Sequence, residues 1–217
     1  TIPEGVTTIG NETFDGCTSL ASVTIPDGVT MIGEFAFRRC TSLDSLTIPE
    51  GVTTIEVSAF SGCTSLVSVT LPKGVTTIGE FPFSKCTSLT SVTIPEGVTT
   101  IGDFAFHDCT SLASVDIPNS VTKIGEKAFA GCKVMSEVKF FEPVSVTEIG
   151  KYAFAYCKSL ASIKVPEGVM EIKWGTFSYC TELTSITLPS NLKIISHENP
   201  GEHTNSLNDS GAFAYCK

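Results

Sequence analysis

The stretch that decides the fold runs from Cys17 to Cys40 and reads C-T-S-L-A-S-V-T-I-P-D-G-V-T-M-I-G-E-F-A-F-R-R-C. The same phrase returns along the whole chain. Its cysteines are spaced by 23 residues five times, and then by 25, 23 and 36 residues. They are Cys17, Cys40, Cys63, Cys86, Cys109, Cys132, Cys157, Cys180 and Cys216. A fixed period of this kind is typical of a repeat array, in which each copy forms one structural unit.

Apolar residues recur in step with the cysteines. The phenylalanines that lie three positions before each cysteine are Phe14, Phe37, Phe60, Phe83, Phe106, Phe129, Phe154, Phe177 and Phe213. In the segment Ser22–Pro26, polar and apolar residues alternate at period two, which predicts a short strand with Val23 and Ile25 directed inward. The proline ends this strand because it has no N–H to donate to a sheet.

The rest of each copy is predicted to turn back to the start of the next one. Residues 29–32 form a second short extended piece. Phe37, Cys40 and Leu43 are spaced by three residues, which predicts a single helical or 3₁₀ turn. One copy offers about seven apolar side chains, worth roughly 1.5–3 kcal/mol each when buried. Ordering its backbone costs about 1–2 kcal/mol per residue, so a copy cannot fold alone and must stack on its neighbours.

The repeated phrase L-x-x-I-x-I-P-x-x-V-x-x-I-G-x-x-A-F-x-x-C-x-x-L resembles that of the BspA-like leucine-rich repeats. It is matched here by Leu43, Leu46, Ile48, Pro49, Val52, Ile55, Ala59, Phe60, Cys63 and Leu66, and by the other copies. We therefore expect an α/β fold, a single right-handed leucine-rich-repeat solenoid of about nine 23-residue coils over residues 1–217. A parallel β-sheet covers one face, with short helical or 3₁₀ turns and second short strands elsewhere. The coils end near the nine cysteines.

The resemblance also carries an expected function. It implies a non-enzymatic protein-binding module of a cell-surface or secreted protein, which adheres to host extracellular-matrix proteins or to other cells. The alternative is a structural spacer with no ligand of its own. The chain begins within the phrase, at Thr1-Ile2-Pro3, and we expect it to be a fragment of a longer protein.

Composition argues against several other partners. The net charge of −9 and the pI of about 4.8 disfavour binding to nucleic acid or to an anionic membrane surface. The apolar runs are too short to span a bilayer, so we expect no membrane insertion. A protein partner is what the resemblance implies.

No catalytic, cofactor or metal site is predicted. Coils filled with Val, Ile, Phe and Leu offer no pocket that could tune paired carboxylates, and no His or Asp is placed to activate the repeated serines. The cysteines are expected to form one internal column of free thiols. His197, Glu198, Glu202 and His203 lie in an insertion at residues 196–210. That insertion is interpreted as a surface loop, with a binding loop or a metal site as the alternatives.

The outward positions of the strands form the first candidate binding surface. In the first four strands they are small and hydroxylic, at Ser22, Thr24, Ser45, Thr47, Ser68, Thr70, Ser91 and Thr93. A flat parallel sheet can present a broad surface to a protein. The alternative is that these residues only keep the sheet soluble. The regular threonine columns suggest an ice-binding sheet as a further alternative. It is the weaker one, because each strand carries one outward Thr rather than a pair.

Aromatic residues beside the turn form the second candidate surface. Phe35, Phe81 and Phe104 share one repeat position, and Tyr156, Tyr179 and Tyr215 share another. Aromatic side chains are enriched at the energetic centres of protein interfaces. The alternative is that their rings lie flat against neighbouring coils and shield the core.

Overall fold

The computed structural model describes residues 2–196 and 211–216. Along these residues, strands of three or four residues alternate with strands of two residues. The longer strands, one on each turn of the chain, are β2 (Ser22–Thr24), β4 (Ser45–Thr47), β6 (Ser68–Thr70), β8 (Ser91–Thr93), β10 (Ser114–Ile117), β12 (Glu137–Phe140), β14 (Ser162–Lys164) and β16 (Ser185–Thr187). The two-residue strands are β1 (Thr8–Ile9), β3 (Met31–Ile32), β5 (Thr54–Ile55), β7 (Thr77–Ile78), β9 (Thr100–Ile101), β11 (Lys123–Ile124), β13 (Glu148–Ile149), β15 (Glu171–Ile172) and β17 (Ile194–Ile195).

Every strand pairing joins equivalent positions of consecutive turns in parallel. The longer strands pair as β2–β4, β6–β8, β10–β12 and β14–β16, with Ser22 opposite Ser45 as one example. Successive pairs lie side by side, because β4 contacts β6, β8 contacts β10 and β12 contacts β14. The short strands form a second set of sheets, β1-β3-β5, β7-β9-β11-β13 and β15-β17. The result is a parallel β-solenoid, as the period of the sequence predicts.

Phenylalanine rings stack along the interior because the turns are in register. Successive rings from Phe14 to Phe213 are nearly parallel, with centroids 5.0–5.8 Å apart. The rings from Phe37 to Phe177 are fully buried. Aromatic pairs in this distance range are attractive beyond the area they bury. One continuous apolar core extends from Ile9 to Ala212.

The cysteines form a second internal column, and each thiol has a defined partner. From Cys40 onward, every Sγ–H donates to the backbone carbonyl of a phenylalanine in the preceding turn, for example Cys63 to Phe37 at 3.2 Å. The expected internal column is confirmed for the seven cysteines from Cys40 to Cys180, which are buried and free. Cys17 is exposed and Cys216 is half-buried. Burial raises the pKa of the Cys109 thiol to about 12.

The predicted α/β class with helical or 3₁₀ turns is wrong. Within residues 2–196 and 211–216 the connections are successions of tight turns, and none of them forms a helix. The N–H groups of Ala36 and Arg38 donate to carbonyls three residues earlier, whereas those of Phe35 and Phe37 donate to the next turn of the solenoid. A helix needs every N–H for its own ladder, so this alternation excludes one. Left-handed residues two positions on either side of Phe37 also interrupt any helical path.

The expected number of nine coils is also too high, since the solenoid has about eight turns. Nine cysteines enclose only eight intervals, and eight of the longer strands are present in the described residues. The residues before Cys17 contribute only the short strand β1.

The two extra residues between β12 and β13 are accommodated at one corner of the solenoid. Phe141 occupies the position of the usual corner proline, and its side chain is 36% exposed. The N–H of Thr147 donates to Thr122, and Ile149 pairs with Ile124, as Ile124 pairs with Ile101 one turn earlier. The insertion therefore changes the surface without changing the register of the core.

Replacing Phe106 by Ala is expected to destabilise the protein by about 3–5 kcal/mol, because the cavity would lie between two stacked rings. The free energy of unfolding in urea measures this. Phe141→Ala is the matched control, since the ring of Phe141 lies at the surface. Equal losses from the two variants would contradict a stacked phenylalanine core.

Thiol reactivity should separate the cysteines by burial. In the folded protein at pH 8, a disulfide reagent such as Ellman's should modify Cys17 quickly and Cys216 partially. The other seven should react only after unfolding, because burial raises their pKa values and blocks access of the reagent. Rapid modification of more than two thiols in the native state would contradict the internal column.

Candidate binding surfaces

The residues of the predicted strand surface lie on the outside of the solenoid. The side chains on β2, β4, β6 and β8 that were expected to point outward are all exposed, and they are Ser22, Thr24, Ser45, Thr47, Ser68, Thr70, Ser91 and Thr93. The residue between each pair packs against the core. The four strands therefore present an uncharged, hydroxyl-covered face.

The six predicted aromatic residues lie at special backbone positions. Each turn has two residues with positive φ, four positions apart. The first left-handed column consists of Glu12, Phe35, Ser58, Phe81, Phe104, Lys127, Tyr152, Gly175 and Gly211. The second consists of Gly16, Arg39, Gly62, Lys85, Asp108, Gly131, Tyr156, Tyr179 and Tyr215. All six aromatic candidates thus belong to these two columns.

These positions favour glycine on steric grounds. In the left-handed region the Cβ of an L-residue crowds the following carbonyl, which costs roughly 1–2 kcal/mol. Gly16, Gly62 and Gly131 occupy the second column without that cost. Bulky residues such as Tyr179, with φ of 60°, are uncommon in this region. Non-glycine residues nevertheless fill most positions of both columns, and the aromatic residues are among them.

Along the first column, aromatic and cationic groups form a continuous row. The rings of Phe81 and Phe104 stack with centroids 4.5 Å apart. Lys127 Nζ then lies 5.0 Å from the Phe104 ring and 5.2 Å from the Tyr152 ring, a cation–π arrangement with both. Tyr152 meets Trp174 edge to face at 4.5 Å. Sequence reasoning missed Lys127, Tyr152 and Trp174, although the first two share the repeat position of Phe104.

Phe35 is separated from the other two phenylalanines of its repeat position. Ser58 occupies the intervening turn, and the guanidinium of Arg38 lies 4.3 Å from the Phe35 ring centroid. Arg38 also donates to the Asp15 carboxylate and holds the pKa of that carboxyl below its usual value, since the hydrogen bond favours the ionised form. Phe35 therefore belongs to a separate Arg-capped cluster.

The three tyrosines of the second column do come together. Tyr156 stacks on Tyr179 and Tyr179 on Tyr215, each pair with centroids 4.4 Å apart. Tyr156 and Tyr215 are 43% and 46% exposed. The alternative in which all rings shield the core does not describe these two, since nearly half of each side chain is accessible.

The part of the chain that the structure describes contains no group of three His, Cys, Asp or Glu side chains able to hold a metal ion. The candidate ligands His197, Glu198, Glu202 and His203 lie outside the described residues, as does the rest of the insertion apart from Ser196. Among residues 2–196 and 211–216 there is also no helix long and apolar enough to cross a membrane.

Comparison with known proteins places these features in a family. The sequence model of the protein family "BspA type Leucine rich repeat region (6 copies)" matches residues 1–113 and 82–199 of this chain. The chain belongs to this family. Leucine-rich repeats of this kind are generally non-enzymatic folds for binding or scaffolding, and they generally mediate protein interactions. No curated protein sequence matched the chain significantly.

Solved structures of bacterial leucine-rich repeat proteins are similar to the BspA-type solenoid described above. A leucine-rich repeat protein of T. pallidum is 37% identical with a TM-score of 0.67, over 71% of this chain and 72% of that one. A leucine-rich cell surface protein of Faecalibacterium prausnitzii is 35% identical with a TM-score of 0.57, over 87% of this chain and 59% of that one. A protein of Eubacterium ventriosum, 23% identical with a TM-score of 0.56, shares the fold over 88% of this chain and 72% of that one.

Strain at the left-handed columns can be measured at Lys85, which is exposed and has φ of 61°. Lys85→Gly is expected to stabilise the protein by about 1 kcal/mol, because glycine adopts this conformation without a steric penalty. Lys73→Gly is the control, since Lys73 has no positive φ and glycine there should destabilise by about 0.5–1 kcal/mol. Thermal or urea unfolding measures both. A loss of stability in Lys85→Gly would contradict the strain argument.

Proposed function

We propose that this BspA-type repeat array is a non-enzymatic protein-binding module that contacts its partner through an aromatic surface. This aromatic surface consists of Phe81, Phe104, Tyr156, Tyr179 and Tyr215. The observation that carries the proposal is the placement of these rings at left-handed backbone positions, where glycine would be more stable. Residues held in costly conformations concentrate at functional sites.

The stacking of the rings suits them to binding. Association is opposed by the entropy lost when side chains are ordered in the interface. Tyr156, Tyr179 and Tyr215 already restrict one another through contacts at 4.4 Å, and Phe81 and Phe104 do so at 4.5 Å. A partner that contacts these rings therefore loses less free energy to ordering than one that meets mobile side chains. Tyrosine also offers an apolar ring and a hydroxyl in the same residue.

The proposed location is the cell surface or the extracellular space, and the proposed partner is a host extracellular-matrix protein or a protein on another cell. Support comes from the family and from the F. prausnitzii protein, which is named a cell surface protein. The acidic charge of the chain is compatible with a protein partner and disfavours nucleic acid.

A structural spacer is the second candidate, and the strand face supports it. The outward residues of β2, β4, β6 and β8 are only serine and threonine, which keep a sheet soluble without forming the apolar centre of an interface. In a spacer, the aromatic surface would have no partner either.

The aromatic surface is tested with Tyr179→Gly/Tyr215→Gly and Phe81→Gly/Phe104→Gly, which remove rings while providing the residue that the backbone favours. Binding to immobilised matrix proteins and to whole cells is measured by surface plasmon resonance and adhesion assays. We expect at least one double variant to bind about tenfold more weakly or worse, because aromatic contacts of this kind contribute 1–2 kcal/mol or more.

Ser22→Ala/Ser45→Ala is the matched control on the strand face and should bind as the parent does. Circular dichroism and unfolding in urea establish that each variant retains the solenoid. Adhesion that is unchanged in both ring-deleted variants would exclude the aromatic surface. A parent protein that binds no matrix protein and no cell would favour the spacer.

A further inference from the structure

An open groove with a volume of about 580 Å³ adjoins the tyrosine stack but differs from it in chemistry. Its charged and aromatic lining includes His107, Asp108, Lys127, Lys133, Tyr156 and Lys158. The volume falls within the range of about 300–1,000 Å³ that is common for small-ligand sites. The proposed protein interface does not account for this groove, because that interface depends on rings rather than on charge.

The groove lies where small residues line two consecutive turns. Gly131 stands between Asp108 and Tyr156 in the second left-handed column, and the buried Ala130 and Ala155 also line the groove. Gly131 has a φ of 79°, which disfavours a side chain there, and a Cβ would clash with Asp108 Oδ1 unless that carboxylate moved. The gap is therefore due to glycine at a position where the adjacent turns carry Asp108 and Tyr156.

Positive charge is concentrated in this groove although the chain as a whole carries −9. Three lysines and one aspartate line it. Lys133 and Lys158 lie in consecutive turns at the position that follows the cysteine. That position is threonine in six other copies, from Thr18 to Thr181, and lysine again at Lys217. The pKa of His107 is lowered by burial, and Lys127 and Lys85 lower it further while Asp108 opposes them.

Tyr156 provides an accessible aromatic face toward the groove. Tyr179 covers one side of its ring at 4.4 Å, whereas its neighbour on the other side in the second left-handed column is Gly131, which has no side chain. One face of the Tyr156 ring therefore packs on Tyr179, and the opposite face has no side chain of its column beside it. Tyr156 is 43% exposed.

We propose that this groove binds an acidic sugar, a unit of a glycan that carries a carboxylate or a sulfate. The apolar face of a pyranose ring would lie against Tyr156, and its anionic group would be paired by Lys133 and Lys158. Asp108 would accept hydrogen bonds from the sugar hydroxyls. The aspartate favours a sugar over a peptide rich in glutamate, because a ligand with many carboxylates and no hydroxyls would be repelled by it.

Four tetrasaccharide-sized probes test this proposal by isothermal titration calorimetry at low salt. They are a hyaluronan tetrasaccharide, which carries carboxylates, a chondroitin sulfate tetrasaccharide, which adds sulfates, neutral maltotetraose and a tetraglutamate peptide. We expect one or both acidic sugars to bind and the neutral sugar and the peptide to bind roughly tenfold more weakly or not at all. The stronger of the two acidic sugars identifies the anionic group.

Two matched pairs of variants locate the site. Lys133→Gln/Lys158→Gln should weaken binding of the acidic sugar roughly tenfold, whereas Lys164→Gln/Lys193→Gln changes the net charge equally and should leave it intact. Tyr156→Gly should weaken binding by a similar factor. Phe35→Gly, which removes a ring from a left-handed position outside the groove and outside the aromatic surface, should not. Each glycine variant suits its backbone, so folding is expected to be retained.

Several results would overturn the proposal. They are failure of both acidic sugars to bind, tetraglutamate binding as tightly as the sugars, or an affinity that is unchanged in Lys133→Gln/Lys158→Gln or in Tyr156→Gly. The protein interface is tested separately, with matrix proteins and cells as ligands. Tyr156 belongs to both surfaces, so the lysine variants are the ones that distinguish the two proposals.

Discussion

Hydrogen bonds between backbone groups of consecutive turns hold each residue of the solenoid beside its equivalent in the next copy. The register is maintained in both sets of sheets and again in the tight turns, where the N–H of Phe37 donates to Ala59 and that of Phe83 to Ala105. Each side chain therefore packs against the residue at the same repeat position of the neighbouring turn. Phenylalanine satisfies this requirement by ring stacking, and cysteine by donating its S–H to a carbonyl of the preceding turn.

The same constraint produces the two left-handed columns. Since alternate N–H groups in the turn must point along the solenoid axis, the chain reverses its local curvature twice in each turn, at residues such as Phe81 and Lys85. The side chains at these positions are partly or fully exposed, apart from the buried Ser58, and they are aligned from turn to turn. The backbone thus determines where exposed rings can stack, and the sequence determines which turns carry them.

The parts of the fold that depend on periodicity could be predicted from the sequence. Period two identified the outward strand residues, and the 23-residue spacing identified the buried columns. The prediction of helical turns was wrong because the spacing of Phe37, Cys40 and Leu43 suits a helix and a succession of tight turns equally well. Glycines such as Gly62, aligned with Tyr156 and Tyr179, were the available sign of a left-handed column. The groove beside Gly131 arises from three adjacent turns, which a reading of one copy at a time does not combine.

The corner at Phe141 shows how the solenoid can change its exterior while conserving its interior. Two residues are added there, and Ile149 nevertheless meets Ile124 in the usual register. Any segment that begins and ends at such a corner can be lengthened by mutation without disturbing the layers above and below it. Duplication of an entire copy is equally neutral, because the new layer meets the neighbours it was duplicated from. A gene of this kind can therefore lengthen the solenoid by whole turns and change its surface at the corners, as two independent evolutionary events.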